Sequence, residues 1–205
     1  MGLPAQICHD ARMRIVLLAC LLICVGAPSV PADINERYED AKLKIRFPKK
    51  LGDYTRGKLS RYDDNLGYSI PYNYEHSSVT IYVYTGGYAS IERGVEDPNT
   101  IETFKAAKKD ITTLEAAGLY KDMTVLRTGV MELSKTSTQP FLVLDLSITL
   151  PGRNGNEDLK ARSTLLVTAF RNHFVKIRAT QPETADKEAL EEMLSAFAAF
   201  FKVHI

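Results

Sequence analysis

Phe141-Leu142-Val143-Leu144-Asp145-Leu146-Ser147-Ile148-Thr149-Leu150 is the stretch that decides the class of fold. Leu142, Leu144, Leu146, Ile148 and Leu150 recur at every second position, with Asp145, Ser147 and Thr149 between them. A period of two belongs to a β-strand, whose successive side chains point to opposite faces. Pro151 to Asp158 is rich in turn formers, and Leu159 to Phe170 and Phe174 to Thr180 are apolar runs of strand length. These three runs read as antiparallel neighbours, with Leu150 opposite Leu159, Asp145 opposite Thr164 and Ser147 opposite Arg162. The connection Arg171-Asn172-His173 admits a turn of two or three residues. A one-residue slip turns every side chain to the other face. The three-residue turn is predicted because it pairs Phe170 with Phe174 and Val167 with Ile177, apolar with apolar. One face then carries Leu144, Leu146, Ile148, Leu165, Val167, Val175 and Ile177, and the other carries Asp145, Arg162, Thr164, Lys176 and Arg178.

Upstream, Lys42 to Phe47 alternates, and Tyr54 to Tyr62, Gly67 to Tyr72 and Val79 to Thr85 read as three further strands. Asp97-Pro98 opens a helix, Asp as the cap and Pro at the first helical position. Ile101, Phe104, Ala107, Ile111 and Leu114 share one face of it, and Gly118 closes it. Met123 to Leu133 is the first strand of the second block. Pro182 is read as the start of a last helix that presents Leu190, Met193, Leu194, Phe197, Phe200 and Phe201 to the apolar face of the sheet. The expectation is an α+β fold, a mainly antiparallel sheet with two long amphipathic helices in a layered sandwich.

The amino terminus is of another kind. Arg12 and Arg14 precede the uncharged run Ile15 to Val25, and Val30-Pro31-Ala32 offers small residues for cleavage before Asp33. That order is a secretory signal, with an apolar run shorter than the about 20 residues a membrane span needs. Met13 is an alternative start with its own positive flank. The reading is therefore a signal peptide over 1–32, a flexible lead-in over 33–41 and one domain over 42–205, periplasmic or secreted after cleavage. All three cysteines, Cys8, Cys20 and Cys24, lie in the leader. The mature chain thus has no disulfide, thiolate site or cysteine nucleophile. Its 24 basic and 24 acidic residues balance, which points away from nucleic acid, and it has no transmembrane segment.

Nine of the ten tyrosines fall between Tyr38 and Tyr88. Tyr68 and Tyr72 share a face of one strand, and Tyr82 and Tyr84 share a face of another. Such rings can form a binding platform, although tyrosine also suits half-buried strands. Asp145 and Arg162 on neighbouring strands read either as a carboxylate with a positioning cation or as a surface ion pair. The mature histidines, His76, His173 and His204, are far apart. Asp63-x-Asn65 and Asn154-x-Asn156-x-Asp158 lack the Gly and Glu of a calcium loop. No metal and no cofactor is expected, and neither a G-x-S-x-G elbow nor a phosphate loop is present.

The strand–helix–strand–helix order and the closing segment Phe174-Val175-Lys176-Ile177-Arg178-Ala179-Thr180-Gln181-Pro182, followed by the Phe-rich helix, resemble the Mog1/PsbP-like α-β-α sandwiches. That resemblance covers residues 42–203 and implies a non-enzymatic interaction or accessory domain, with no catalytic motif to transfer. The functional expectation is an exported binding or accessory module with an unknown protein or small-molecule partner in the cell envelope. Its candidate contact residues are Tyr68, Tyr72, Tyr82, Tyr84, Asp145, Arg162, Lys176 and Arg178. The alternative is a small periplasmic hydrolase or lyase using Asp145, Arg162 and His173.

Overall fold

The computed structural model describes residues 37–135, 137–152 and 156–201. The expected leader, its cleavage point at Ala32-Asp33, Asn154 and His204 lie outside the described residues. The elements are β1 (Arg37–Asp40), β2 (Ile45–Pro48), β3 (Lys50–Leu51), β4 (Tyr54–Arg56), β5 (Ser60–Arg61), β6 (Tyr68–Tyr74), β7 (Ser77–Tyr84), α1 (Pro98–Ala116), β8 (Lys121–Glu132), β9 (Pro140–Leu150), β10 (Leu159–Phe170), β11 (His173–Pro182) and α2 (Lys187–Ala198). The fold is α+β: a mostly antiparallel sheet with two helices. The main sheet runs β3-β4-β6-β7-β11-β10-β9-β8, with β5 pairing on β6, while β1 and β2 form a separate hairpin.

The local signals explain most of these boundaries. Asp97 caps α1, accepting a 3.0 Å hydrogen bond from the N–H of Asn99, and Gly118 follows the helix at φ 70°. Three boundaries differ from expectation. The stretch 33–41 contains β1, which pairs with β2 from Arg37 opposite Pro48 to Asp40 opposite Ile45. Tyr54 to Tyr62 is two short strands, because at Gly57 the chain turns its N–H to the carbonyl of Pro71, 2.8 Å away. Pro182 ends β11 opposite Ala161, and α2 begins only after Asp186, whose carboxylate accepts from the N–H of Glu188 at 2.8 Å. A proline at a strand end sacrifices no interior ladder bond, whereas Asp186 supplies the acceptor that free helix N–H groups require.

The register between β9 and β10 is the predicted one, with Leu150 opposite Leu159, Ser147 opposite Arg162 and Asp145 opposite Thr164. The turn after β10 is not. Phe170 faces His173, Ile177 faces Leu166 and Lys176 faces Val167, so the connection has two residues. Arg171 and Asn172 sit at φ 48° and 61°, the left-handed pair of a type I′ turn, whose twist matches that of the strands it joins. Asn172 tolerates that conformation and its Oδ1 accepts from the N–H of Ile91 at 2.7 Å.

This turn divides the core differently from expectation. Val175 and Ile177 stand with Leu166, Val79, Ile81 and Phe141 against Met193, Leu194 and Phe197 of α2. Leu144, Leu146, Ile148, Leu165 and Val167 pack instead against Phe104, Ala107, Ile111 and Leu114 of α1. Pairing apolar with apolar selects the three-residue turn only where one sheet face is wet. Both faces are buried where a helix lies on them, so apolar side chains on both sides of β10 are satisfied.

Candidate functional site

Among the described residues, the buried apolar strand residues that cluster with α1 come from β9 and β10. On the same side of the sheet, β11 and β7 change character. Alternation sends Val175, Ile177 and Ala179 of β11, and Val79, Ile81 and Val83 of β7, toward α2. The intervening side chains face the α1 side: Lys176 is paired with Tyr82, Arg178 with Thr80, Thr180 with Ser78, and Phe174 with Tyr84. A polar, tyrosine-bearing half-face therefore begins where the apolar cluster under α1 ends.

Lys176 is its centre. Only 4% of the residue is exposed, and its Nζ lies 4.4 Å from the centre of the Tyr82 ring and 5.7 Å from that of Tyr84. A cation over an aromatic face is attracted by the ring's negative quadrupole. Burial, then the Asp110 carboxylate of α1 and Tyr88, push the Tyr84 hydroxyl well above the ordinary phenol range. Tyr84 and Tyr88 both pack on Phe174, with ring centres 5.6 Å away in each case, and Ile91 completes this end of the patch. At the other end, Arg178 has both terminal nitrogens buried.

The other four candidate residues lie on the α2 side. Tyr72 is fully buried, its hydroxyl donating to the carbonyl of Pro48 at 2.9 Å. Tyr68 packs edge-on to Tyr38 and Phe47 and donates to Asp40 Oδ2 at 2.7 Å. The two rings and their polar tips pin the β1–β2 hairpin to the sheet. Burial drives both phenols far above their ordinary range; for Tyr68 the Asp40 carboxylate adds to it, while for Tyr72 the nearby Arg56 opposes it. Asp145 accepts from Arg127 Nε at 2.8 Å and from Thr164 Oγ1 at 2.7 Å. The cation bound to Asp145 is thus Arg127 of β8. The expected single face of Asp145, Arg162, Thr164, Lys176 and Arg178 is split by the two-residue turn, the first three on the α2 side and the last two on the α1 side. His173 lies beside Phe170, six residues along β10 from Thr164 and so roughly 20 Å from Asp145. Among the described residues no group of three or more His, Cys, Asp or Glu is placed to hold a metal ion, and no helix is long and apolar enough to cross a membrane.

No family model matches the chain, and no curated protein matches it. Among solved structures it is similar to cyanobacterial PsbP (CyanoP) from Synechocystis sp. PCC 6803, at 11% identity and a TM-score of 0.48, over 88% of this chain and 99% of that one. It is also similar to PA94, a protein of unknown function from Pseudomonas aeruginosa, at 11% identity and a TM-score of 0.29, over 72% of this chain and 82% of that one. No residue role is carried over from either.

The sequence pattern singles out Tyr82, Tyr84, Lys176 and Arg178 but does not bring them together, and it does not single out Asp110, Thr80 or Thr180. The signal was present in two alternations, Ser78-Val79-Thr80-Ile81-Tyr82-Val83-Tyr84 and Phe174 to Thr180, each with a polar and an apolar set. What sequence lacks is that β7 and β11 are neighbours although α1 and three strands separate them in the chain.

Proposed function

We propose that this protein is an exported, periplasmic binding or accessory domain, an α-β-α layered sandwich that receives its ligand or partner on the half-face of Tyr82, Tyr84, Lys176 and Arg178. The leader pattern over 1–32 supports export, and the two apolar clusters, one under each helix, support the layered reading. The observation that carries the binding reading is Lys176, a lysine almost wholly buried over two tyrosine rings on a part of the sheet outside the α1 core. An ammonium group held beside two tyrosine rings gives this half-face both charge and aromatic area for recognition. The ligand belongs to the cell envelope, and no nucleic acid is involved.

Titration of the purified, ¹⁵N-labelled protein with the small-molecule and peptide fraction of an envelope extract tests this reading. The amide signals of Tyr82, Tyr84, Lys176 and their neighbours on β7 and β11 should move, and Lys176→Ala should suppress the movement. Shifts gathered on β8 or around α2, with none on β7 and β11, would place binding elsewhere and refute the proposal.

A further inference from the structure

Arg178 lies two residues along β11 from Lys176, between Thr80 of β7 and Leu165 of β10. Its Nη1 and Nη2 are both buried, and neither has a hydrogen-bond partner among the described residues. The other buried side-chain atoms in that condition, Thr100 Oγ1 and Gln181 Oε1, belong to neutral groups. A guanidinium is different. It is always charged, and withdrawing its donors from water without acceptors costs far more than for a hydroxyl or an amide.

We infer that the guanidinium of Arg178 is the receptor for an anionic oxygen group, a carboxylate or a phosphate, carried by the ligand of this half-face. The inference rests on the binding reading above and names the chemistry of what is bound. The two terminal nitrogens form a planar fork that matches two oxygens of one anionic group. Lys176, over the Tyr82 and Tyr84 rings, lies on the same face about 7 Å along the strand. Thr80 stands opposite Arg178 on β7 and faces the same side of the sheet.

The test uses the purified full-length protein with inorganic phosphate and acetate as probes, at constant ionic strength set with chloride. The Nε–Hε signal of Arg178 should shift and saturate, and the melting temperature should rise with the anion. The stronger of the two probes tells a phosphate-bearing ligand from a carboxylate-bearing one. Arg178→Met should melt higher than the wild type without anion, because an uncompensated charge has been removed, and should lose the anion-dependent rise. Arg178→Lys keeps the charge but not the fork and should bind the better probe at least about tenfold more weakly; it carries the test if the Met variant does not fold. An undiminished anion-dependent rise in Arg178→Met, or no response of Arg178 to either probe, overturns the inference. In the latter case, amide shifts on β7 and β11 with the envelope fraction would leave the binding face standing, and their absence would remove both.

Discussion

On the α2 side of the sheet, tyrosine is a structural residue; on the α1 side it lies half-buried in a polar patch beside Lys176. Tyr68 and Tyr72 of β6 point toward α2, and each spends its hydroxyl on the β1–β2 hairpin. Tyr82 and Tyr84 of the adjoining strand point the other way, and Lys176 lies over them. The two pairs have the same side chain, each pair on one face of its strand, and they belong to one hairpin. The difference lies in what covers them. Phe197 and its neighbours seal the first face, whereas the apolar stripe of α1 spans only β9 and β10. A residue type alone therefore says little about role in this fold. The width of a helix against the width of the sheet decides which tyrosines become core.

The largest expected effect tests that contrast directly. Tyr72→Ala removes a fully buried ring and a hydrogen bond to Pro48, and should lower unfolding stability by about 3–5 kcal/mol, as large aromatic truncations do. Tyr82→Ala removes a half-buried ring and one side of a cation–π contact, and should cost about 1 kcal/mol. Urea unfolding of the two variants measures both. Equal losses would erase the distinction between the faces.

Much of the fold was legible because its signals are local. The period of two in Phe141 to Leu150, the Asp97-Pro98 cap and the β9–β10 register need only neighbouring residues to be read. The fate of β11 is not local. Whether Lys176 or Ile177 meets α2 depends on a single turn residue, and hydrophobic pairing selects the wrong turn because both faces of β10 are buried. Asp145 illustrates the same limit, since its cation arrives from β8, a strand that the pairing of β9 with β10 leaves out. The candidate site was legible as residues but not as a place.

That turn is the next point of attack. Asn172 holds a left-handed conformation at φ 61° and caps the N–H of Ile91. Asn172→Ala loses both the tolerance and the acceptor, and should cost about 2 kcal/mol. Asn172→Gly keeps the tolerance and loses only the acceptor, so it should cost about 1 kcal/mol. Thermal melts of the pair separate the turn conformation from the cap. If the Gly variant were as unstable as the Ala variant, the conformational argument for the two-residue turn would fail. The division of Lys176 and Arg178 from Asp145 and Arg162 would then need another cause.

The smallest expected effect lies at neither face. At the start of β8, Lys121 Nζ stands 2.8 Å from Asp158 Oδ2, and the N–H of Gly152 donates to Asp158 Oδ1, also at 2.8 Å. The Lys121 hydrogen bond first, and the Gly152 N–H second, hold the Asp158 carboxyl below its ordinary value. In the unfolded chain the carboxyl takes up its proton near pH 3.9; in the folded protein it does so at lower pH. Between those two points the unfolded state binds more protons, so acid favours unfolding. The stabilisation is complete above the unfolded value and is lost as pH falls through the folded one. Because Asp158 is fully exposed and solvent screens the pair, the effect should be slight. Asp158→Asn should leave stability near pH 7 almost unchanged and make its decline below about pH 4 a little shallower, measured by urea unfolding across that range. A large loss at neutral pH would mean that the tie between β8 and the β9–β10 loop, rather than the packing of either face, limits the stability of the sheet.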